Sequence, residues 1–216
     1  MNAVVLDWDG TLADSHGRLY AANAAVVRSF GLPFDEDLYR RHYSPDWRLM
    51  YRSLGIPAER MSEANRIWED AFDGVESTTL FPGVRDALVR LAERGFVLGL
   101  VTAGPRAIVD PQIVRLGLQD LIPVRIYGDD LPEQKPHPAP LRRALGELGL
   151  AAPVSAAYLG DSPDDMRMAR SAGVRAVGVT SGMSRARALE EAGAQETVDA
   201  VSTWAGRLLA ASPAGG

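Results

Sequence analysis

Short apolar runs alternate with helical patterns along most of the chain after residue 80, and one further apolar run lies near the N-terminus. The runs are continuous rather than alternating, which is typical of strands buried on both faces. Strands of this kind, separated by helices, predict a doubly wound parallel sheet of Rossmann-like α/β architecture. Pro111 is expected to break or kink the helix in which it falls. The predicted strands cover 3–6, 96–101, 124–127, 156–159 and 174–179, and the predicted helices cover 84–94, 107–116, 139–148 and 164–172.

Residues 15–80 contain helical patterns only, and no part of them alternates like a strand. Asp14 and Ser15 could cap a helix that runs to about residue 30. Further helical patterns cover 45–51 and 57 to about 75. We therefore predict an α/β core made of residues 1–14 and 81–216, with an α-helical domain of residues 15–80 inserted into it. The tail from residue 210 is expected to fray.

The composition is that of an ordinary globular protein of 216 residues, with 46% apolar residues and a net charge of −5. The negative charge argues against a nucleic-acid partner, which requires a basic face. No apolar run approaches the ~18 residues of a membrane span, and no signal-like segment is present, so we expect no membrane partner and a cytoplasmic location. The absence of cysteine excludes disulfides, thiolate nucleophiles and zinc–cysteine sites. The sequence leaves a monomer and a homodimer equally open.

Reactive side chains follow the ends of several predicted strands. Asp7 and Asp9 stand two residues apart after the first apolar run, where they share a face while the strand stays extended. Two adjacent carboxylates are costly to bury unless a cation or an anionic reaction needs them. Because ligands of open parallel sheets bind beyond the carboxyl ends of the strands, these residues are expected to form one site. The other candidates placed in this way are Thr102, Lys135 in a loop, and Asp161.

Lysine occurs once among the 23 basic residues of the chain, at Lys135. A chain that uses arginine almost everywhere is expected to keep a lysine where a compact ammonium on a flexible stem is required. The flanking prolines, Pro136 and Pro138, stiffen the loop and limit the entropy lost when the lysine is positioned. We therefore interpret Lys135 as a functional residue.

The first of these segments, Asp7-Trp8-Asp9-Gly10-Thr11-Leu12-Ala13-Asp14, resembles the first motif of the haloacid dehalogenase superfamily. Phosphatases of that superfamily read Asp-x-Asp-Gly-Thr-Leu/Val-x-Asp. The resemblance implies that Asp7 is the nucleophile and that Asp9 is the general acid and base.

Two later segments resemble the second and third motifs of the same superfamily. The turn from Val101 to Gly104 follows a predicted strand, and the resemblance implies that Thr102, Ala103 and Gly104 hold the phosphoryl oxygens. A hydroxyl donates well to such an oxyanion, and glycine lets the backbone approach closely. In the third motif Lys135 would pair with the nucleophilic carboxylate and the phosphoryl group.

The segment Gly160-Asp161-Ser162-Pro163-Asp164-Asp165 resembles the fourth motif. By this resemblance the Asp7 carboxylate, the Asp9 carbonyl oxygen and Asp161 are the metal ligands, with Asp165 placed behind them. Oxygen ligands of this type suit Mg²⁺. An acid or Ser162 before Pro163 could equally well cap a helix, and that remains the competing explanation.

The resemblance as a whole implies a phosphatase that acts on a small phosphorylated metabolite. Asp7 would attack phosphorus while Asp9 protonates the leaving oxygen, and Asp9 would then activate water against the aspartyl-phosphate. A sugar phosphomutase with the same chemistry is the first alternative, although such mutases commonly have Glu-Asp where this chain has Gly160-Asp161. A non-catalytic binding protein is the second. The inserted helices resemble the cap of phosphoglycolate phosphatase-like members. Its candidate substrate contacts are Arg18, Trp47, Arg48 and Arg52.

Overall fold

The central feature of the protein, seen in a computed structural model, is a twisted parallel sheet. The structure describes residues 3–44, 46–72, 78–150 and 156–211. Within them the sheet has six strands in the order β5-β4-β1-β6-β7-β8, all parallel. The strands are β1 (Ala3–Leu6), β4 (Val97–Val101), β5 (Val124–Ile126), β6 (Ala156–Gly160), β7 (Arg175–Val179) and β8 (Glu196–Val198).

Helices cover both faces of this sheet, as the doubly wound prediction requires. Alternate residues of β1 enter different apolar clusters: Val4 and Leu6 pack into one, and Ala3 and Val5 pack into the other. This division explains why the run contains no polar position, because each face of the strand is buried against its own layer of helices. The helices of the core are α5 (Val84–Glu93), α6 (Arg106–Arg115), α7 (Ala139–Glu147), α8 (Pro163–Ala172), α9 (Ala186–Ala192) and α10 (Val201–Ala211).

The segment between β1 and α5 is helical and has an apolar cluster of its own. Val26, Tyr39 and Tyr51 lie in that cluster. A two-residue strand pair joins the segment to the core, β2 (Ala13–Asp14) running antiparallel to β3 (Thr79–Leu80). The sequence shows no strand pattern at residues 79–80. We call the helices of this segment the cap: α1 (His16–Ser29), α2 (Glu36–His42), α3 (Trp47–Ser53), a short 3₁₀ helix (Ala58–Arg60) and α4 (Met61–Ala71).

Several elements differ from the sequence-based expectations. Helix α2 was not predicted, and it begins where the Asp35 side chain accepts a hydrogen bond from the Leu38 backbone N–H. Helix α6 runs through Pro111 without a break, so that prediction of a break is wrong. Helix α4 ends at Ala71, and the rest of the predicted helix up to residue 75 falls largely on 73–77, outside the described residues. No prediction was made for the elements after residue 179. The domain boundaries remain a prediction.

No helix among the described residues combines the length and the apolar content that a membrane crossing requires.

Candidate active site

A buried lysine stands between two buried carboxylates at the carboxyl edge of the sheet. Lys135 Nζ lies 2.7 Å from Asp7 Oδ1 and 2.7 Å from Asp165 Oδ1. Asp7 follows β1 directly, and its backbone N–H extends the ladder by donating to the Leu159 carbonyl at 2.9 Å. The ammonium also lies 5.5 Å from the centroid of the Tyr158 ring. Residues 128 positions apart in the sequence therefore meet as the resemblance implies.

The charges of this group are strongly coupled. Burial lowers the pKa of Lys135, but the carboxylates of Asp165 and Asp7 more than offset this effect, so the pKa lies above its ordinary value. The lysine is therefore held as a cation. Burial raises the pKa of Asp7 to about 7, with Asp165 adding to the rise and Lys135 opposing it. One ammonium does not compensate the negative charge that surrounds it.

A third carboxylate completes the acidic group. Oxygens of Asp7, Asp161 and Asp165 all lie within 4.8 Å of one another, and all three side chains are buried. Burial raises the pKa of Asp161 well above its ordinary value, and the charges of Asp7 and Asp165 raise it further. Three buried carboxylates this close together offer the hard oxygen donors that a divalent cation such as Mg²⁺ prefers. The donor set therefore fits the metal that the sequence predicts.

Asp165 has a different bonding pattern from the other two acids. Its Oδ1 faces Lys135 and accepts a hydrogen bond from the Tyr158 hydroxyl at 2.9 Å. Its Oδ2 accepts from the backbone N–H and the hydroxyl of Ser162, at 3.1 and 2.7 Å. Both oxygens are thus occupied by protein donors. This arrangement is consistent with a residue that orients Lys135 rather than one that binds the metal directly.

Ser162 also caps helix α8. Its hydroxyl accepts from the Asp165 backbone N–H at 3.2 Å, while Asp165 returns a bond to the Ser162 N–H, which is a capping box. The helix-cap explanation of this segment is therefore correct, but it does not exclude the catalytic one. The same Asp165 both takes part in the capping box of the helix and contacts Lys135.

Asp161 is enclosed by backbone with no room for additional side chains. A Cβ at Gly10 would lie 2.5 Å from Asp161 Oδ2, and one at Gly182 would overlap the same oxygen. The Met183 N–H donates to this oxygen at 3.0 Å. The loop 180–183, which follows β7, is further tied to the first motif by the Ser181 hydroxyl, which donates to the Gly10 carbonyl at 2.8 Å.

Sequence reasoning missed this loop, although a signal was present. It follows an apolar run directly, as Asp7, Thr102 and Asp161 do, so the rule that predicted those residues applies equally to it. Tyr158 was also missed. It lies within β6, fully buried, and only its contacts with the Lys135 and Asp165 side chains distinguish it from an ordinary core residue.

Asp9 and Thr102 both have a side-chain oxygen close to Gly104. A Cβ at Gly104 would be 3.6 Å from Asp9 Oδ2 and 3.4 Å from Thr102 Oγ1. The Thr102 hydroxyl oxygen accepts from the Gly104 N–H at 3.0 Å, so its own hydrogen remains for another acceptor. The Asp9 side chain is only partly buried. Loss of hydration nevertheless raises the pKa of its carboxyl, which shifts the equilibrium toward the protonated form.

Gly160 is the residue on which the phosphatase and mutase patterns differ. A Cβ at this position would lie 2.5 Å from Asp165 Cγ and 2.6 Å from Asp165 Oδ2. A glutamate there is incompatible with the observed place of Asp165 and with its contact to Lys135. The structure thus gives a physical reason why Gly160 and Asp165 occur together in this chain.

A cavity of about 570 Å³ lies between the cap and the core. Asp9, Ala103 and Gly104 line it on the core side, and Trp47 and Arg48 line it on the cap side. The other two predicted cap contacts do not line it: Arg18 donates to the Asp14 carbonyl at 3.2 Å, and Arg52 is exposed elsewhere.

A direct contact ties the cap to the core beside this cavity. Arg40 Nη1 of helix α2 donates to the Met183 carbonyl at 2.7 Å. The side chain of Met183 packs against the apolar cluster of the cap. The loop that encloses Asp161 is therefore held from both domains.

Comparison with known proteins agrees with this geometry. The family model of haloacid dehalogenase-like hydrolases matches residues 4–179. The chain belongs to this family. The match extends from β1 to the end of β7 and so includes Asp7, Lys135, Asp161 and Asp165, while the loop 180–183 follows it directly.

Proteins named phosphoglycolate phosphatase are among the curated relatives of the chain. The protein of that name from Pectobacterium atrosepticum is 42% identical over 199 residues, which are 88% of this chain and 85% of the relative. Those from Nitrosococcus oceani and Escherichia coli are 31% and 32% identical, covering 92% and 88% of this chain and 92% and 85% of their own lengths. These relatives and the family match identify the chain as a phosphatase of the family.

Solved structures of the family share the fold. A haloacid dehalogenase-like hydrolase from Bacteroides fragilis superposes with a TM-score of 0.86 at 25% identity, covering 94% of this chain and all of that one. A putative beta-phosphoglucomutase from Thermotoga maritima superposes with a TM-score of 0.73 at 28% identity, covering 96% and 98%. The predicted α/β architecture with inserted cap helices is confirmed.

Proposed function

We propose that the protein is a Mg²⁺-dependent phosphatase that hydrolyses a small phosphomonoester through an aspartyl-phosphate on Asp7. The observation that carries this proposal is the meeting of Asp7, Lys135, Asp161 and Asp165 in one buried group. Burial of several carboxylates around a single ammonium is unfavourable unless a further cation joins them. A phosphoryl-transfer site needs this combination of charges.

The chain's own residues divide the work as follows. Asp7 attacks phosphorus, and Asp9 gives its proton to the leaving oxygen. Loss of hydration raises the pKa of Asp9, which is the direction that this role requires. Asp9 then removes a proton from the water that cleaves the aspartyl-phosphate. The Thr102 hydroxyl and the Ala103 backbone N–H would donate to the phosphoryl oxygens, and Lys135 would neutralise their charge. The Gly104 N–H donates to Thr102 Oγ1, so Gly104 would contribute by letting the backbone approach the phosphoryl group closely.

Asp7, the Asp9 carbonyl and Asp161 would hold the Mg²⁺ ion, while Asp165 orients Lys135. When bound, the ion supplies positive charge that lowers the repulsion between the phosphate and the acidic group. The contacts of both Asp165 oxygens with protein donors support this division of roles. A small phosphorylated metabolite is the proposed partner. The cytoplasmic location and the choice between monomer and homodimer remain predictions.

Sugar phosphomutase activity is the second candidate, because a structure named as a putative beta-phosphoglucomutase shares the fold at 28% identity. The fit of Gly160 against Asp165 favours the phosphatase. Glucose 1-phosphate and glucose 6-phosphate, each tested for interconversion and for phosphate release, distinguish the two candidates. Interconversion in preference to release would make the protein a mutase.

The test of the chemistry is a phosphate-release assay on p-nitrophenyl phosphate. Activity should vanish in EDTA, return with Mg²⁺, and be absent from Asp7→Asn. With this acidic leaving group Asp9→Asn should still form the phospho-enzyme, because departure needs little proton donation, but should release phosphate slowly. The covalent species would then be seen by mass spectrometry of the quenched protein. A fully active Asp7→Asn variant would refute the covalent scheme, and absence of any release would favour a non-catalytic binding protein.

A further inference from the structure

The cap side of the cavity is formed largely by aromatic rings. Five side chains, which we call the aromatic wall, line it: Tyr39, Tyr43, Trp47, Tyr51 and Trp68. Trp47 meets Tyr51 edge to face with 5.6 Å between ring centroids, and Tyr39 meets Tyr43 in the same way at 5.8 Å. Tyr39 and Tyr51 are 1% exposed and form the back of the wall. Tyr43, Trp47 and Trp68 are only partly buried, so they keep ring surface accessible.

The aromatic wall faces the proposed catalytic residues as well as the interior of the cap. Asp9, Ala103 and Gly104 line the opposite side of the same cavity. A phosphoryl group at Asp7, beside Asp9, would direct its leaving group into this space. The group that departs from phosphorus would therefore contact the wall.

The size and charge of the cavity do not match a small anionic leaving group. The two-carbon acid of phosphoglycolate would fill a minor part of about 570 Å³. Arg48 is the only cation among the described residues that line the cavity, and its guanidinium lies 4.3 Å from the Trp47 ring centroid. Glu69 and Asp129 add carboxylates to the lining. A second carboxylate on the substrate would meet as much repulsion as attraction here.

Three amide side chains of the lining are already bonded within the protein. Asn23 donates to the Leu19 carbonyl at 2.7 Å and accepts from the Tyr51 hydroxyl at 2.7 Å. Asn65 donates to Glu69 at 2.7 Å, and Gln134 donates to the Gly128 carbonyl at 2.9 Å. A sugar would need many of these groups for its hydroxyls, whereas a flat ring needs the faces and edges of other rings.

We propose that this site takes phosphomonoesters whose leaving group carries an aromatic ring, and that the aromatic wall binds that ring. The proposal rests on the proposed phosphatase function, because it names the substrate class of the same site. It differs from the substrate in the names of the curated relatives.

The test compares esters whose leaving groups are all primary alcohols, so that leaving-group acidity does not decide the rates. Benzyl phosphate should exceed ethyl phosphate in kcat/KM by roughly ten- to one-hundred-fold, the effect of one or two aromatic contacts. It should also exceed cyclohexylmethyl phosphate, which has similar bulk without a π-face, as well as phosphoglycolate and glucose 6-phosphate. Inhibition by benzylphosphonate against ethylphosphonate gives the same comparison without turnover.

Variants of the aromatic wall test whether its rings cause the preference for benzyl phosphate. Trp47→Leu and Trp68→Leu should each lower the benzyl-to-ethyl ratio of kcat/KM by roughly ten-fold. The matched control is Phe30→Leu, because Phe30 is a partly buried cap ring that lies under the Arg60 guanidinium at 4.4 Å and does not line the cavity. This control should leave the ratio at its wild-type value.

The outcomes distinguish failure of the proposed substrate class from failure of the proposed phosphatase function. Equal use of benzyl and cyclohexylmethyl phosphates, or a preference for phosphoglycolate or glucose 6-phosphate, would overturn the aromatic substrate class and leave the phosphatase function in place. Absence of Mg²⁺-dependent turnover of every ester would overturn the phosphatase function itself. If a wall variant does not fold, the phosphonate comparison on the wild-type protein decides the question alone.

Discussion

Removal of the Asp7 charge should stabilise the metal-free protein, although it abolishes the proposed catalysis. Asp7 is 6% exposed and lies near the carboxylates of Asp165 and Asp9, so its ionised form is disfavoured in the folded state. The pKa of about 7, against 3.8 for an ordinary aspartate, means that the folded state accommodates the protonated carboxyl more favourably than the ionised one. Asp7→Asn keeps the shape of the side chain and removes the charge.

The magnitude follows from linkage between ionisation and folding. A carboxyl whose folded pKa is raised contributes its full stability below the unfolded pKa and loses it as pH rises through the folded pKa. For Asp7 this loss begins near pH 4 and levels off above pH 7. At 1.36 kcal/mol per pKa unit the total is about 4 kcal/mol, of which about 2–3 kcal/mol falls between pH 5 and pH 8. The variant should therefore gain that much stability relative to wild type across this interval.

Urea denaturation in EDTA at the two pH values, followed by tryptophan fluorescence, measures the gain directly. Asp164→Asn is the matched control. Asp164 is next to Asp165 in the sequence, and its side chain pairs at the surface with Arg167 at 2.7 Å. A surface pair of that kind contributes little, so the control should show no comparable gain. An unfolding free-energy difference between Asp7→Asn and wild type that is equal at pH 5 and pH 8 would refute the reasoning, as would a less stable variant at pH 8.

Three further outcomes are expected. Mg²⁺ should raise the melting temperature of the wild type more than that of Asp161→Asn, since a ligand that binds only the folded state stabilises it more when it binds more tightly. Equal shifts in a thermal scan would count against Asp161 as a metal ligand. Lys135→Met should abolish phosphate release and lower the unfolding free energy in EDTA by about 3–5 kcal/mol at pH 8, because it leaves Asp7 and Asp165 without their ammonium; a variant of unchanged urea midpoint would contradict this. Gly160→Ala should lower kcat, because its Cβ displaces the Asp165 carboxyl; unchanged steady-state kinetics would show that the Asp165 position does not matter.

Much of the core of the site could be predicted because Asp7, Thr102 and Asp161 each belong to a short local pattern that ends a strand. The carboxyl ends of β1, β4 and β6 are neighbours in the sheet, so placing Asp7, Thr102 and Asp161 after apolar runs was enough to bring them to one edge. Lys135 stood out for a different reason, as the single lysine in an arginine-rich chain.

Features that depend on tertiary contacts could not be predicted in the same way. The enclosure of Asp161 by Gly182 and the Met183 N–H depends on how the loop after β7 folds back, which no local pattern reports. The aromatic wall brings Tyr39, from a helix that was not predicted, into contact with rings from other segments. For the cap, the sequence shows the residue types and predicts helix positions, but it does not predict the surface that the helices form together.

The position of the single lysine has a practical consequence for spectroscopy. Because Lys135 is the only lysine and its side chain is buried beside Asp7 and Asp165, a sample labelled with ¹⁵N at lysine would give one side-chain ammonium signal, and it would come from the site itself. Such a signal would follow the binding of cations, phosphate analogues and inhibitors at one atom, without mutation and without assignment of the remaining spectrum.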